Sequence, residues 1–150
     1  MRHAVKILAV LVLVGCGAGV RRTERRAEMR AEKRDDRMDR YVEATTGWNK
    51  LGERWVQGRI DRDVIWVTAR EGAFRRMMIK VEHSSLEMFD VLVTFGDGST
   101  FSPPTRLVFG EETRSRVVDF PGGARIIRKV EFRYGNLPGG GRAQVELWAQ

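Results

Sequence analysis

The sequence has very few of the side chains that cross-link chains or bind metals. Cys16 is the single cysteine, and His3 and His83 are the two histidines among 150 residues. One cysteine cannot form an intramolecular disulfide, so the fold must depend on its hydrophobic core. A site built from several Cys and His ligands needs more than these residues supply. We therefore expect neither a metal site nor another cofactor.

The sequence also lacks an apolar run long enough to cross a membrane. Its longest aliphatic stretch, Ile7 to Val14, has eight residues, whereas a membrane-spanning helix needs about 20. The basic residues Arg2 and Lys6 precede this stretch. A short apolar run after positive charges is typical of a signal peptide, which we predict over residues 1–15.

The residues that end this run resemble the processing site of bacterial lipoproteins. Leu13-Val14-Gly15-Cys16 places an aliphatic residue, a branched residue and a small residue before a cysteine. A thiol at this position accepts a diacylglycerol, and several acyl chains on one residue anchor a protein firmly. We predict that Cys16 is lipidated in the cell envelope. Since Gly17 rather than Asp follows, we expect the outer membrane, facing the periplasm, if the cell has two membranes.

Residues 21–40 differ sharply in composition from the rest of the chain. They contain neither Gly nor Pro and consist mainly of Arg, Glu, Asp, Lys, Ala and Met. Acidic residues recur four apart, as at Glu24 and Glu28, beside rows of arginine, which favours a helix with weak ion pairs of about 0.2–0.5 kcal/mol each. The apolar residues form no continuous face. We therefore predict a solvated helical stalk and linker over residues 16–47.

Short strand-like segments recur from residue 48 to residue 150, separated by Gly, Pro and Asp. Apolar residues alternate with polar ones in several segments, and Gly96-Asp97-Gly98 is a strong hairpin signal. In the segment 126–134, the alternation predicts that Ile126, Val130, Phe132 and Tyr134 face inward. About eight short strands with no second helix predict an all-β domain, an antiparallel β-sandwich over residues 48–150.

Several stretches of this region match a known pattern. They are Leu51-Gly52-Glu53, Phe95-Gly96-Asp97-Gly98, and the closing stretches 116–122, 129–132 and 145–148. These stretches resemble a family of small secreted bacterial proteins of unknown function, the YaaI-type proteins. The resemblance spans residues 48–148 and leaves the charged stalk outside. It implies a β-sandwich in the envelope and brings no catalytic residues with it.

Two groups of residues are candidates for ligand contact. The last two predicted strands carry Arg125, Arg128, Arg133 and Arg142. Pointing outward, these arginines could form a patch for an anionic glycan or lipid, although cross-strand ion pairs with Glu131 and Glu146 are the alternative. Trp48 and Trp148 lie at the two ends of the domain. We expect them to be exposed or partly exposed, where they could contact a sugar or a protein partner.

Two patterns that could signal chemistry have simpler explanations. Glu82-His83-Ser84-Ser85 places a possible base beside possible nucleophiles, but these are chain neighbours at a strand end and no nucleophile elbow is present. Asp61 and Asp63 could share a calcium ion, but the sequence shows no loop dense enough in oxygen ligands. We predict surface turns at both places and no catalytic residues.

The formal net charge of +7 favours anionic partners. Residues 48–150 account for only part of it, with 16 Lys and Arg against 13 Asp and Glu. We expect a non-enzymatic envelope lipoprotein whose domain binds a protein or an anionic polymer, and we expect no nucleic-acid partner in that compartment. The alternative is a carbohydrate-binding module that uses an exposed Trp or Phe101. A hydrolase whose site is assembled in space is a third possibility.

Overall fold

A computed structural model describes residues 19–57, 59–104, 106–110, 113–135 and 141–150. The predicted signal peptide, Cys16 and the glycine-rich loop 136–140 lie outside these residues. The chain divides into two compact units, Met1–Ala44 and Thr45–Gln150. Each unit is described by itself.

One long helix, α1, spans Gly19–Thr45, and all of its residues except the last belong to the first unit. Its 27 residues give a length of about 40 Å at 1.5 Å per residue. Every residue from Arg21 to Arg40 is exposed, as expected for a helix that is polar on all sides. The predicted helix is confirmed and continues to Thr45. No helix in the described ranges is long and apolar enough to span a bilayer.

The second unit consists of two antiparallel sheets. Eleven strands occur among its described residues, and their bounds are β1 Asn49–Gln57, β2 Asp61–Trp66, β3 Ala73–Phe74, β4 Arg76–Glu82, β5 Leu86–Phe95, β6 Thr100–Phe101, β7 Leu107–Phe109, β8 Thr113–Arg114, β9 Val118–Asp119, β10 Arg125–Gly135 and β11 Arg142–Ala149. A short 3₁₀ turn, Ala69–Glu71, precedes β3. The count exceeds the predicted eight; four of the strands, β3, β6, β8 and β9, have only two residues each.

The order of the strands places the end of the chain in the middle of both sheets. In the first sheet β11 lies between β1 and β4, and β8 and β9 both pair with β4. In the second sheet β10 lies between β2 and β5, with β3 also on β10, and with β6 and β7 on β5. The consecutive strands β10 and β11 therefore belong to different sheets.

Both sheets contribute side chains to one hydrophobic core. In the first sheet, alternate residues of β4 and β11 are buried in it, among them Ile79, Val81 and Val145. In the second sheet, β5 and β10 contribute residues such as Val93 and Phe132. Alternation along each strand sends the intervening residues to the other face. This arrangement is consistent with the predicted β-sandwich and needs no disulfide.

One prediction about the core is wrong. Ile126 was expected to face inward with Val130, but its side chain is 43% exposed, while Ile127 is fully buried. The register between β10 and β5 passes from Ile127 opposite Phe95 directly to Lys129 opposite Thr94. One additional residue on β10 forms a bulge there, and a bulge reverses the inward and outward alternation on its far side.

The edge strands β1 and β2 meet at Gly52. The β1–β11 register shifts between Lys50 and Gly52, and a Cβ added to Gly52 would lie 2.7 Å from Cγ2 of Ile65 on β2. Close by, Arg54 Nε donates a hydrogen bond of 2.9 Å to the carbonyl oxygen of Val64. The absence of a side chain at position 52 therefore lets the two sheets approach at this corner.

We expect Gly52→Ala to lower the free energy of unfolding by about 1–3 kcal/mol, because the new methyl group overpacks the buried Ile65 side chain. Urea unfolding followed by tryptophan fluorescence measures this change. Gly110→Ala is the control, since a Cβ there would lie 3.3 Å from the methyl group of Thr113, whose side chain is exposed and can move. Equal stability of the Gly52→Ala variant and the unaltered protein would show that the corner is not tightly packed.

Candidate functional site

The four arginines predicted to bind an anion do not share one surface. Arg125, Arg128 and Arg133 lie on β10 in the second sheet, whereas Arg142 begins β11 in the first sheet. Arg128 is exposed and is the additional residue of the β10 bulge. Each arginine therefore has to be considered with its own neighbours.

Arg125 stabilises the hairpin between β5 and β6. Its guanidinium donates to Asp97 Oδ2 at 2.5 Å and to the Ser99 hydroxyl, and it lies 3.8 Å from the ring centre of Phe95. Asp97 Oδ1 also accepts hydrogen bonds from Ser99, at 3.0 Å from the backbone N–H and 2.6 Å from the hydroxyl. Because its guanidinium already has these partners within the chain, Arg125 has a structural role.

Arg133 lies on the outer face of the second sheet, directly opposite Arg62 on β2. Both arginines are exposed. Within the described part of the chain, no salt bridge joins either of them to a carboxylate. Arg133 also lies 5.6 Å from the ring centre of Phe89. Like charges in directly opposed positions destabilise a sheet. The carboxylate of Asp90, which lies opposite Arg133 on β5, offsets part of this repulsion.

The same face carries an exposed tryptophan, Trp66. Its side chain is 60% exposed, and the Lys129 ammonium lies 5.4 Å from its ring centre. Lys129 also forms a 2.7 Å salt bridge with Glu131. The half-buried side chains of Val64 and Leu92 lie on this face between the positions of Trp66 and Arg62. We call this the β2–β10–β5 face; its residues are Arg62, Val64, Trp66, Lys129, Glu131, Arg133, Asp90, Leu92 and Thr94.

The expectation that Trp148 is exposed or partly exposed is wrong. Its side chain is only 7% exposed because β11 is a central strand, with Lys50 and Met78 as the cross-strand neighbours of Trp148. The indole N–H donates to Glu146 Oε2 at 3.0 Å. Trp48 is partly exposed and immediately precedes β1, which pairs with β11. Trp148 is therefore a packing residue.

Charged residues form a paired cluster around Trp148 on the same face of β11. The Lys50 ammonium makes salt bridges of 2.5 Å to Glu146 and 2.6 Å to Glu53. Burial would lower the pKa of Lys50, but the hydrogen bonds to these two carboxylates outweigh burial and raise it. The hydrogen bond from Lys50 in turn lowers the pKa of Glu53. Nearby on β4, the buried Lys80 and Glu82 also form an ion pair.

A second exposed tryptophan, Trp55, lies beyond this cluster on the first sheet. Its side chain is 45% exposed and stacks on His83, with ring centres 5.0 Å apart and planes 21° from parallel. The Arg142 guanidinium also lies 5.0 Å from the Trp55 ring centre. We did not predict that Trp55 and Trp66 are the two most exposed tryptophans. The sequence did indicate their exposure, because each is next to a residue that is buried, Val56 or Ile65, and neighbours in a strand face opposite sides of the sheet.

The two patterns considered for chemistry have structural partners. Asp61 Oδ1 accepts a 2.8 Å hydrogen bond from the backbone N–H of Arg62, and Asp63 Oδ2 accepts one of 2.9 Å from the Tyr134 hydroxyl. Burial, and next the hydrogen bond to Asp63, raise the pKa of Tyr134 well above its usual value. His83 stacks on Trp55. In the ranges the structure describes, no three His, Cys, Asp or Glu residues form a group that could hold a metal ion.

These residues define a class of protein: a two-sheet antiparallel β-domain preceded by a charged helix, with exposed tryptophans beside cations. The chain belongs to the family DUF2541, described as a domain of unknown function, which matches residues 21–149. The family match therefore includes most of α1, which the resemblance to YaaI-type proteins left outside.

Comparison with solved structures shows what this chain is similar to in fold. AlgX of Pseudomonas aeruginosa, a solved structure, is similar with a TM-score of 0.45 and 12% sequence identity. The similarity covers 68% of this chain and 26% of AlgX, so the chain spans about a quarter of that protein. No curated protein matches the sequence.

We expect the carboxyl group of Asp97 to titrate with a pKa of about 2, against an ordinary value of 3.8, because of hydrogen bonds from Ser99 and the Arg125 guanidinium. A lowered pKa means that ionised Asp97 stabilises the hairpin above about pH 4 and that this contribution is lost as the pH falls towards 2. Carboxyl ¹³C NMR measures the pKa directly. Ser99→Ala should raise it, whereas Ser102→Ala, which removes a bond to Asp90, should not. An unchanged Asp97 pKa in Ser99→Ala would contradict this explanation.

Proposed function

We propose that this protein is a lipid-anchored protein of the bacterial envelope and that residues 45–150 form a non-catalytic module that binds another envelope protein. The anchor is supported by the sequence of residues 1–16, a basic start followed by a short apolar run and a lipobox ending in Cys16. In a cell with two membranes, the proposed site is the outer membrane, facing the periplasm. The exposed charged helix α1, about 40 Å long, would serve as the stalk.

The observation that carries the binding function is the composition of the β2–β10–β5 face. Trp66 is exposed, and Val64 and Leu92 are half-buried on the same face. Protein interfaces are enriched in aromatic residues and arginine, and a buried aromatic side chain often supplies much of the binding energy. Trp66 with its apolar neighbours provides such an anchor, and the flanking arginines provide a polar rim.

The pair formed by Arg62 and Arg133 indicates which chemical group the partner would present. Arg62 and Arg133 are exposed and directly opposite each other. A carboxylate of a partner could accept hydrogen bonds from both guanidinium groups, which would remove their mutual repulsion. We therefore propose a partner that presents an acidic side chain to this pair and an apolar contact to Trp66.

A protein partner fits this face better than an anionic polymer. Its cations alternate with carboxylates of the chain: Lys129 forms a salt bridge with Glu131, and Asp90 on β5 lies directly opposite Arg133. A continuous polyanion would gain most from a run of cations without partners, whereas mixed and paired charges are typical of specific protein surfaces. A neutral glycan stacked on Trp66 is the second candidate, because this indole is the most exposed aromatic side chain among the described residues.

We expect Cys16→Ala to leave the protein without its lipid, because alanine has no thiol to accept the diacylglycerol. Membrane fractionation should then move the protein from the membrane to the soluble fraction. Mass spectrometry of the unaltered protein should show an acylated cysteine as its first residue. The same membrane recovery for both proteins would reject the proposed anchor.

We expect a photo-cross-linking amino acid in place of Trp66 to form one discrete protein adduct in intact cells. Adding Arg133→Glu should reduce the adduct yield at least about tenfold, since a reversed charge repels the proposed carboxylate. The control position is Val117, which is also exposed and lies outside the β2–β10–β5 face.

Three results would contradict parts of this proposal. Equal adduct yields at positions 66 and 117 would show that the face is not selective. An unchanged yield with Arg133→Glu would reject the proposed acidic contact. An adduct that carries glycan and no peptide would support the carbohydrate candidate instead.

A further inference from the structure

Three residues from separate parts of the chain meet on the first sheet. Trp55 is on β1, Arg142 starts β11, and His83 immediately follows β4. The ring centre of Trp55 lies 5.0 Å from the His83 ring centre and 5.0 Å from the Arg142 guanidinium carbon. All three side chains are exposed, so an aromatic surface and two nitrogen donors are accessible to solvent together.

The backbone at His83 is held in an uncommon conformation. Its φ is 72°, which makes it the one non-glycine residue with positive φ in the described part of the chain. Such a conformation is uncommon for residues other than glycine, although histidine adopts it more often than most. Residues held this way cluster at ligand-binding positions. In this protein, the residue with the uncommon backbone conformation is the one whose imidazole ring stacks on Trp55.

The charges nearby leave Arg142 available to a ligand. Glu82, which precedes His83, is paired with Lys80, and Glu53 on β1 is paired with Lys50. Among the residues that the structure describes, no carboxylate forms a salt bridge with Arg142. The site therefore has positive charge next to an exposed indole, while the neighbouring carboxylates are bound to lysines.

We propose that Trp55, His83 and Arg142 form a binding site for an acidic sugar residue. The part of the Trp55 side chain that His83 and Arg142 leave exposed, 45% of it, is an aromatic surface against which the C–H groups of a pyranose ring can pack. The Arg142 guanidinium can donate two parallel hydrogen bonds to a carboxylate, and the His83 imidazole supplies a further N–H donor. A hexuronate combines these two features, a pyranose ring and a carboxylate, in one residue.

This site goes beyond the proposed protein-binding function and does not depend on it. The β2–β10–β5 face belongs to the second sheet, whereas Trp55 and Arg142 belong to the first. Two control positions follow from this separation. Val108 is an exposed apolar residue and Arg128 is an exposed arginine, and both lie on the second sheet, outside the residues of the β2–β10–β5 face.

The test is titration of the purified full chain in detergent with trigalacturonate, followed by NMR of the tryptophan indole N–H signals. We expect the Trp55 signal to shift in a saturable manner. Arg142→Gln and Trp55→Ala should each weaken binding by at least about tenfold, as expected for loss of a central contact. Val108→Ala and Arg128→Gln should leave the affinity within about twofold. Galactotriose, which has no carboxylate, should bind at least about tenfold more weakly.

Each remaining outcome overturns the proposal. No saturable shift of the Trp55 signal at millimolar trigalacturonate would mean that the three residues only fix the turn after β4. Equal affinity for galactotriose would show that Arg142 and His83 do not bind the carboxylate of the sugar. An equal loss in Arg128→Gln would assign binding to the other sheet. Because the Arg142 side chain is exposed, its variant keeps the test valid even if Trp55→Ala does not fold.

Discussion

The central position of the last two strands is the constraint on which the rest of the domain depends. β10 pairs with β2 and β5, and β11 pairs with β1 and β4. Without β10, the strands β2 and β5 would have no strand between them, and the same is true of β1 and β4 without β11. The core follows from the same order, because alternate residues of β10 and β11, such as Phe132 and Leu147, meet the side chains of their neighbouring strands. The final residues of the chain thus join segments that are far apart in sequence.

This order also separates the two proposed binding surfaces. The strands β10 and β11 follow one another in the chain, yet each belongs to a different sheet. Arg133 is consequently placed beside Arg62 and Phe89, whereas Arg142 is placed beside Trp55 and His83. Arginines that look equivalent along the sequence therefore have different neighbours and different proposed ligands.

Much of the local structure could be predicted from the sequence, because it depends on neighbours in the chain. The absence of Gly and Pro in residues 21–40 predicted the helix. Alternation predicted β5 over Leu86–Phe95 and the inward positions of Val130 and Phe132. The hairpin at Gly96-Asp97-Gly98 depends on a glycine with positive φ, and Gly98 has a φ of 83°. Each of these features is decided within a few residues.

The candidate sites could not be predicted, because they depend on which strands pair. Trp148 is buried since β11 is central, and a strand at the end of a sequence gives no sign of that position. The bulge near Ile127 reverses the alternation through one additional residue, which leaves Ile126 exposed. The contact of Trp55 with His83 and Arg142 joins three distant segments, and only the strand order brings them together.

The position of β11 has a consequence for how the first sheet folds. Both β1 and β4 pair with β11, and both lie far before it in the sequence. Until β11 pairs with them, the strand edges that it covers and apolar side chains such as that of Ile79 have no partner. Pairing between distant segments is slower than pairing between neighbours in the chain, so formation of this sheet is delayed relative to the local hairpin between β5 and β6.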